Sequence, residues 1–329
     1  MPETLTVPSS VELAVVERSG FVESRHAGAA IVLDAEGVVQ LTLGDVETPI
    51  LPRSSMKPLQ ALGCLTAGAD LTGERLALAT ASHSGTNRHV AVVRDILDAA
   101  GLGESDLGCP AAWPGDPATR DELMRELGQP QRIRMNCSGK HAAMLLTCTV
   151  NGWDTTGYLD PAHPLQVHIR EVIERLIGTK VTSAAVDGCG APVYGMSLSA
   201  LGRAAHRIGT SSERSPFALH RSAGALVRAV RESPWTIDGP GRPDTIAIER
   251  LGVFAKGGAE GVMIMVAPNG TTVALKVLDG SGRATTAIAL ALLERVGALS
   301  PADVAATLAQ LPLAVTGGGQ DVGLIRPTV

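Results

Sequence analysis

The stretch Ala259–Gly280, AEGVMIMVAPNGTTVALKVLDG, decides the fold class. Two runs rich in Val, Ile, Met and Thr flank Asn269-Gly270. That dipeptide suits a two-residue hairpin turn, because both central residues of such a turn need positive φ. The stretch therefore reads as a β-hairpin. The same chemistry recurs early in the chain. ELAVVERSG (12–20) reads as a strand, and GAAIVLDAEGVVQLTL (28–43) as a hairpin turned at Asp34–Gly37. Between these strand sets the period changes. NRHVAVVRDILDAAGLG (87–103), ATRDELMRELG (118–128), PLQVHIREVIERLIG (164–178) and SPFALHRSAGALVRAVRES (215–233) repeat apolar residues every 3.6 positions. Three of them close on a glycine, as a helix C-terminus favours. ATTAIALALLERVG (284–297) and PADVAATLAQL (301–311) read as helices, and VTGGGQDVGLIRPTV (315–329) as loop or edge strand. No repeat, low-complexity tract or Pro/Ser linker divides the chain. The expectation is one catalytic domain over 1–329, of the α/β class in its α+β form. Its largely antiparallel sheet comes from about 10–50 and 255–300, with flanking helices. A helical region over about 54–251 closes a cleft beside it.

Composition narrows the function. The 329 residues are 45% hydrophobic but only 2% aromatic, so the core must be built from Ala, Leu and Val. The net charge of −5 and pI of 5.9, with no basic run, argue against nucleic acid. MPETLTVPSS has no charged segment followed by an apolar one, as a secretory signal would. No apolar run approaches the roughly 18 residues of a membrane span. Five cysteines, at 64, 109, 137, 148 and 189, are odd in number and widely spaced. That argues against a disulfide framework and for a reducing, cytoplasmic setting.

Chemistry concentrates in four places. In RSSMKPLQ (53–60), Ser54 can cap the helix that follows, and Pro58 is tolerable only in its first turn. Ser54 and Lys57 stand three positions apart, so the Lys57 amine can approach the Ser54 hydroxyl and, when neutral, take its proton. Ser-x-x-Lys is also the nucleophile pattern of serine β-lactamases and penicillin-binding proteins. ASHSG (81–85) places Ser82 and His83 after a helical stretch, where a second serine can relay a proton; the alternative is a polar turn. FAKGGAEG (254–261) sets Lys256 just before a strand, flanked by glycines that allow close backbone approach; the alternative is a turn with a solvated lysine. MNCSGKH (135–141) puts Cys137 at a helix N-terminus, which favours thiolate, and VDGCGAP (186–192) puts Cys189 in a tight turn. The two cysteines can meet and bind a borderline metal, Zn²⁺ first, with Asp187 as ligand or acceptor. Cys64 and Cys148 read as core residues, and His89, His163, His168, His206 and His220 as structural or surface groups.

RSSMKPLQALG, ASHSG, MNCSGKHAAML, DGCGAP and AKGGAEG, in this order, resemble the Rhizobium-type L-asparaginases of the asparaginase II family. The resemblance runs from SRHAG near residue 25 to the Lys256 region. It implies a serine β-lactamase/glutaminase-like fold and two Ser–Lys pairs, Ser54 with Lys57 and Ser82 with Lys256, Ser54 being the nucleophile. It implies Zn²⁺ held by Cys137, Cys189 and Lys140, with Asp187 close by and Arg53 and His83 orienting substrate. It also implies a homodimer and L-asparagine as substrate. The rival expectations are a glutaminase, another serine amidase or β-lactamase-like hydrolase, or a silent zinc-binding protein on the same scaffold.

Overall fold

The computed structural model describes residues 3–181 and 183–329. In chain order the elements are β1 (Val11–Arg18), β2 (Phe21–Leu33), β3 (Val39–Leu43), a 3₁₀ turn (Arg53–Met56), α1 (Lys57–Thr66), α2 (Gly73–Ala79), α3 (Asn87–Ala100), α4 (Pro117–Arg125), α5 (Ser138–Asn151) and α6 (Pro164–Ile177). There follow β4 (Ala184–Val186), β5 (Pro192–Tyr194), α7 (Leu198–Gly209), α8 (Ala218–Glu232), α9 (Pro243–Leu251), β6 (Phe254–Gly258), β7 (Val262–Val266), β8 (Thr272–Val277), α10 (Thr285–Arg295), α11 (Pro301–Leu308), β9 (Ala314–Gly317) and β10 (Gln320–Pro327). They sort into two compact units. One comprises 1–55, 195–210 and 242–329, the other 56–194 and 211–241.

The first unit is an antiparallel sheet in the order β6-β7-β8-β2-β1-β10-β9, with β3 paired to β2, and with helices packed on it. The fold is thus of the mixed α/β class. Both hairpins read from the sequence are present, β2–β3 and β7–β8. Every residue of β7 and β8 is buried, which requires cover on both faces. α7 packs on β2, β7 and β8, its Gly202 facing Ile31 and Ala274, and α10 packs on β7, β8 and β10. The tail is more ordered than its glycines suggest. Gly318 and Gly319, both at positive φ, turn β9 into β10, and β10 pairs with β1.

The second unit is helical, apart from the short β4–β5 pair. α1 packs against α5, α6 and α8, and α5 against α2 and α3. Its helices obey their sequence signals. α3 ends on Gly101 and α6 on Gly178, both left-handed, and Thr86 with His89 forms a capping box at the start of α3. α7 and α9, which lie within the stretch read as one helical region, belong to the sheet unit. Among the described residues no helix is long and apolar enough to cross a membrane.

Candidate active site

The chain has only five lysines, at 57, 140, 180, 256 and 276. Four of them are buried: Lys57, Lys140, Lys256 and Lys276 are 1%, 3%, 2% and 7% exposed. An ammonium taken out of water costs several kcal/mol unless polar atoms replace the lost hydration. The partners of each amine therefore indicate what it is for.

In the helical unit, Lys57 opens α1, with Pro58 in the first turn as expected. Its Nζ donates to Ser82 Oγ at 3.0 Å and to the Ala81 carbonyl oxygen. It also bonds the Cys137 thiol. Cys137 is the residue at which α5 begins, as its motif predicts. The glycine of MNCSGKH has a packing reason. A Cβ at Gly139 would lie 2.6 Å from the Leu78 carbonyl oxygen, so only glycine lets α5 cross α2 this closely. That crossing brings the end of α2, and Ser82 just beyond it, to the start of α5. Two further bonds fix the Ser82 segment: Ser82 N–H donates to the Ile237 carbonyl and His83 N–H to the Asn136 carbonyl, at 2.8 and 3.1 Å.

The Cys189 turn completes the cluster. Gly190 takes a φ of +88°, and its N–H bonds the Asp187 carbonyl. Cys189 bonds Cys137, Lys140 Nζ donates to Cys189 Sγ at 3.1 Å, and Asp187 Oδ2 lies 3.8 Å from the same sulfur. A hydrogen bond from Cys189, with the Lys57 and Lys140 charges behind it, holds the Cys137 thiol well below its usual pKa. The bond to Cys137, together with burial, pushes Cys189 up. Burial pulls Lys140 down, but the two sulfurs more than offset it, and its pKa rises. Ser82, Lys57, Cys137, Cys189 and Lys140 form one chain of proton donors and acceptors, buried except at Ser82, which is half-buried.

His83 is fully buried. Its Nδ1 accepts from Gly85 N–H and its Nε2 bonds Ser138 Oγ, so both ring nitrogens are engaged with protein. It stacks on His89 at 5.0 Å. Cys64 and Cys148 are buried in α1 and α5, as expected of core residues.

The remaining residues singled out from the sequence lie in the sheet unit. Ser54 is half-buried in the 3₁₀ turn and is not the cap of α1. That position falls to Met56, whose side chain makes no capping bond. The difference arises at Arg53, which takes a φ of +51° and starts the turn before the helix. Arg53 lies 3.7 Å from Glu260. Lys256, on the edge strand β6, donates to the Gly257 carbonyl at 2.6 Å. Asp244 of α9 accepts the Gly257 N–H and faces Thr286. Gly258 allows close approach, but by the chain itself. A Cβ there would meet Pro52 O at 2.7 Å, Ser55 N at 3.0 Å and Ser54 N at 3.3 Å. Lys256 and Gly258 are two apart on a strand, so Lys256 projects from the face of β6 that meets the Ser54 turn. Reading the motifs one at a time missed Lys276 and Glu260. The scarcity of lysine beside 28 basic residues is the signal that would have found the former.

Among the described residues no group of three or more His, Cys, Asp or Glu side chains is gathered to hold a metal ion. The Cys137, Cys189 and Lys140 set includes a lysine. Two sulfurs and an amine in mutual contact, all buried, suit a borderline cation such as Zn²⁺ in donor type.

A buried amine held between a hydroxyl and a thiol is equipment for proton transfer, carried here on a mixed α/β fold. The chain belongs to the L-asparaginase II family, whose profile matches residues 14–327. The comparison with curated proteins found no match. Among solved structures, the chain is similar to Mglu in its native form, with 12% identity and a TM-score of 0.46, over 82% of this chain and 64% of that one. The chain thus spans less than two thirds of the length of Mglu. A β-lactamase from Mycobacterium bovis matches with 15% identity and a TM-score of 0.44, over 82% of this chain and 94% of that one.

Proposed function

We propose that this protein hydrolyses the side-chain amide of L-asparagine through a serine ester. The observation that carries the reading is the buried Lys57 amine, held at 3.0 Å from Ser82 Oγ and bonded to Cys137. A lysine so placed can exchange protons with a serine hydroxyl without solvent.

Ser54, three positions before Lys57 in the chain, is the nucleophile. Neutral Lys57 takes the Ser54 proton, and Oγ forms a bond to the side-chain amide carbon. The carbon–nitrogen bond then breaks, and nitrogen leaves as ammonia with a proton relayed through Ser82. Water cleaves the resulting aspartyl ester, releases L-aspartate and restores Ser54. Backbone N–H groups near Ser54 stabilise the oxyanion. Lys256, on the face of β6 that meets the Ser54 turn, adds positive charge beside it.

Cys137, Cys189 and Lys140 are the residues that would hold Zn²⁺, with Asp187 beside them. Ligation needs a neutral amine and thiolates, so loading the site releases protons from Lys140 and Cys189. Zinc bound there would supply a fixed positive charge that attracts the α-carboxylate of the substrate, with the Asp187 carboxylate facing its α-ammonium.

The experiment is ammonia release from L-asparagine and L-glutamine, side by side, with purified protein at about pH 8, where lysine amines begin to deprotonate. Release from asparagine alone supports the reading. Preferential release from glutamine keeps the chemistry and changes the substrate. Release from neither, with zinc bound, overturns it.

A further inference from the structure

Two residues of the sheet unit that are not glycine hold a strained backbone close to each other. Arg53 has a φ of +51° and Glu260 of +61°. Such conformations persist only where the surroundings enforce them. The enforcing contacts around this pair converge on Ser54. Gly258 lies against Pro52 O, Ser54 N and Ser55 N. Ser55 closes the turn from its own side, its N–H and hydroxyl both donating to Pro52 O. The Glu260 carboxylate faces Arg53 at 3.7 Å.

Glu260 itself is held by Lys276. The Lys276 amine donates to the Glu260 carbonyl at 2.7 Å and to the Val277 carbonyl at 2.6 Å. Strand register explains how it reaches. Gly258 pairs with Val262, and Val262 pairs with Lys276. Residues directly opposite in antiparallel strands share a face, so Gly258, Val262 and Lys276 form one row on the face that carries Lys256. Lys276 is nearly buried, and no step of the proposed reaction uses it.

We propose that the turn between β6 and β7 is a clasp on the Ser54 segment and that Lys276 is its positioning residue, acting through Glu260 and Gly258 to fix the direction of the Ser54 hydroxyl. This rests on Ser54 being the nucleophile. The clasp touches no substrate, so its loss should lower kcat and leave KM nearly unchanged.

The test uses the full chain with two variants, Lys276→Met and Gly258→Ala. The first removes the pin. The second drives a methyl group against Pro52 O without altering any charge. Each is measured for kcat and KM with L-asparagine, and for the rate at which a fluorophosphonate modifies serine, located by peptide mass spectrometry. The expected result is a fall in kcat of about tenfold to a hundredfold, a KM change below about threefold, and equally slower modification at Ser54, as for a reacting atom displaced by a fraction of an ångström. The Gly258→Ala variant keeps the test decisive if Lys276→Met fails to fold. Modification of Ser54 at the wild-type rate in a folded variant overturns the clasp while sparing the nucleophile. Modification of the wild type elsewhere than Ser54 overturns the nucleophile assignment, and the clasp with it.

Discussion

The helical unit and the sheet unit each bury two lysines and use them differently. In the helical unit, Lys57 and Lys140 meet a hydroxyl and two thiols, groups that can themselves gain or lose a proton, although Lys57 also donates to the Ala81 carbonyl. In the sheet unit, Lys256 and Lys276 donate to backbone carbonyls, which cannot. A buried amine facing titratable partners can store and pass on a proton. One facing carbonyls fixes the geometry of the chain around it. Burial alone therefore does not mark a catalytic lysine; the chemistry of its partner does.

The most severe way to break this comparison is Ser54→Ala. Removing the nucleophile should cut ammonia release by about 10⁴-fold or more. The melting temperature should hold, because the Ser54 side chain is half-buried and fills no core space. Wild-type turnover would strip the sheet unit of its chemical part. Next comes Lys57→Met, which keeps the bulk and removes the amine. Ammonia release should fall by about 10³-fold, the scale of lost general base catalysis. Thiolate absorbance near 240 nm should also appear at higher pH, since the Lys57 charge helps hold Cys137 ionised. An unmoved thiolate titration would separate Lys57 from the thiols. Cys189→Ala should weaken zinc binding by about 10- to 100-fold or more, measured as metal per chain, and raise KM more than it lowers kcat. Unchanged zinc content would remove the metal site.

Acid should distinguish the units by stability. Burial pushes His83, His89 and His141 below the ordinary 6.5, His89 to about 4. The unfolded chain takes up these protons below about pH 6.5 and the folded helical unit does not. The stability they provide is thus fully present above that pH and lost as pH falls toward their folded values, at about 1.4 kcal/mol per pH unit for each histidine. Hydrogen exchange at pH 5 should show α3 and α5 losing protection before β7 and β8; the reverse order would refute this. The smallest effect belongs to Lys180, the one exposed lysine, whose ion pair with Glu174 sits at the surface end. Lys180→Ala should cost less than about 1 kcal/mol in denaturant unfolding. A larger loss would mean that exposure does not separate it from the other four.

Much of this was legible in the sequence, and what was not has definite physical causes. Asn269-Gly270 and Asp34–Gly37 announce their hairpins because the turn chemistry is local. Cys137 at the start of α5 and Gly101 and Gly178 at helix ends are readable for the same reason. The edge strand read in the tail is there as β9, but the interior place of β10 was not legible, because its partner β1 lies some three hundred positions away in the chain. Ser54 looked like a cap because nothing in RSSMKPLQ signals a left-handed Arg53, a conformation glycine usually supplies. The bond of Lys57 to Ser82 likewise depends on α5 crossing α2 at Gly139, and crossing geometry leaves only a glycine as its trace. The substitution-sparing use of lysine, five against a far larger arginine complement, was visible throughout and names four interior positions.

The pairing of β1 with β10 also sets a timetable. A ribosome delivers β1 some three hundred residues before β10, so over that interval the edge of β1 that β10 will cover stays open, a template for unwanted strand addition. The helical unit, whose segments end at residue 241, can collapse while the sheet is still waiting for its final strand. Until β10 arrives, the nascent protein carries a helical half free to collapse and an unsealed sheet, and its demand for chaperones should be highest while residues 242–327 are being made.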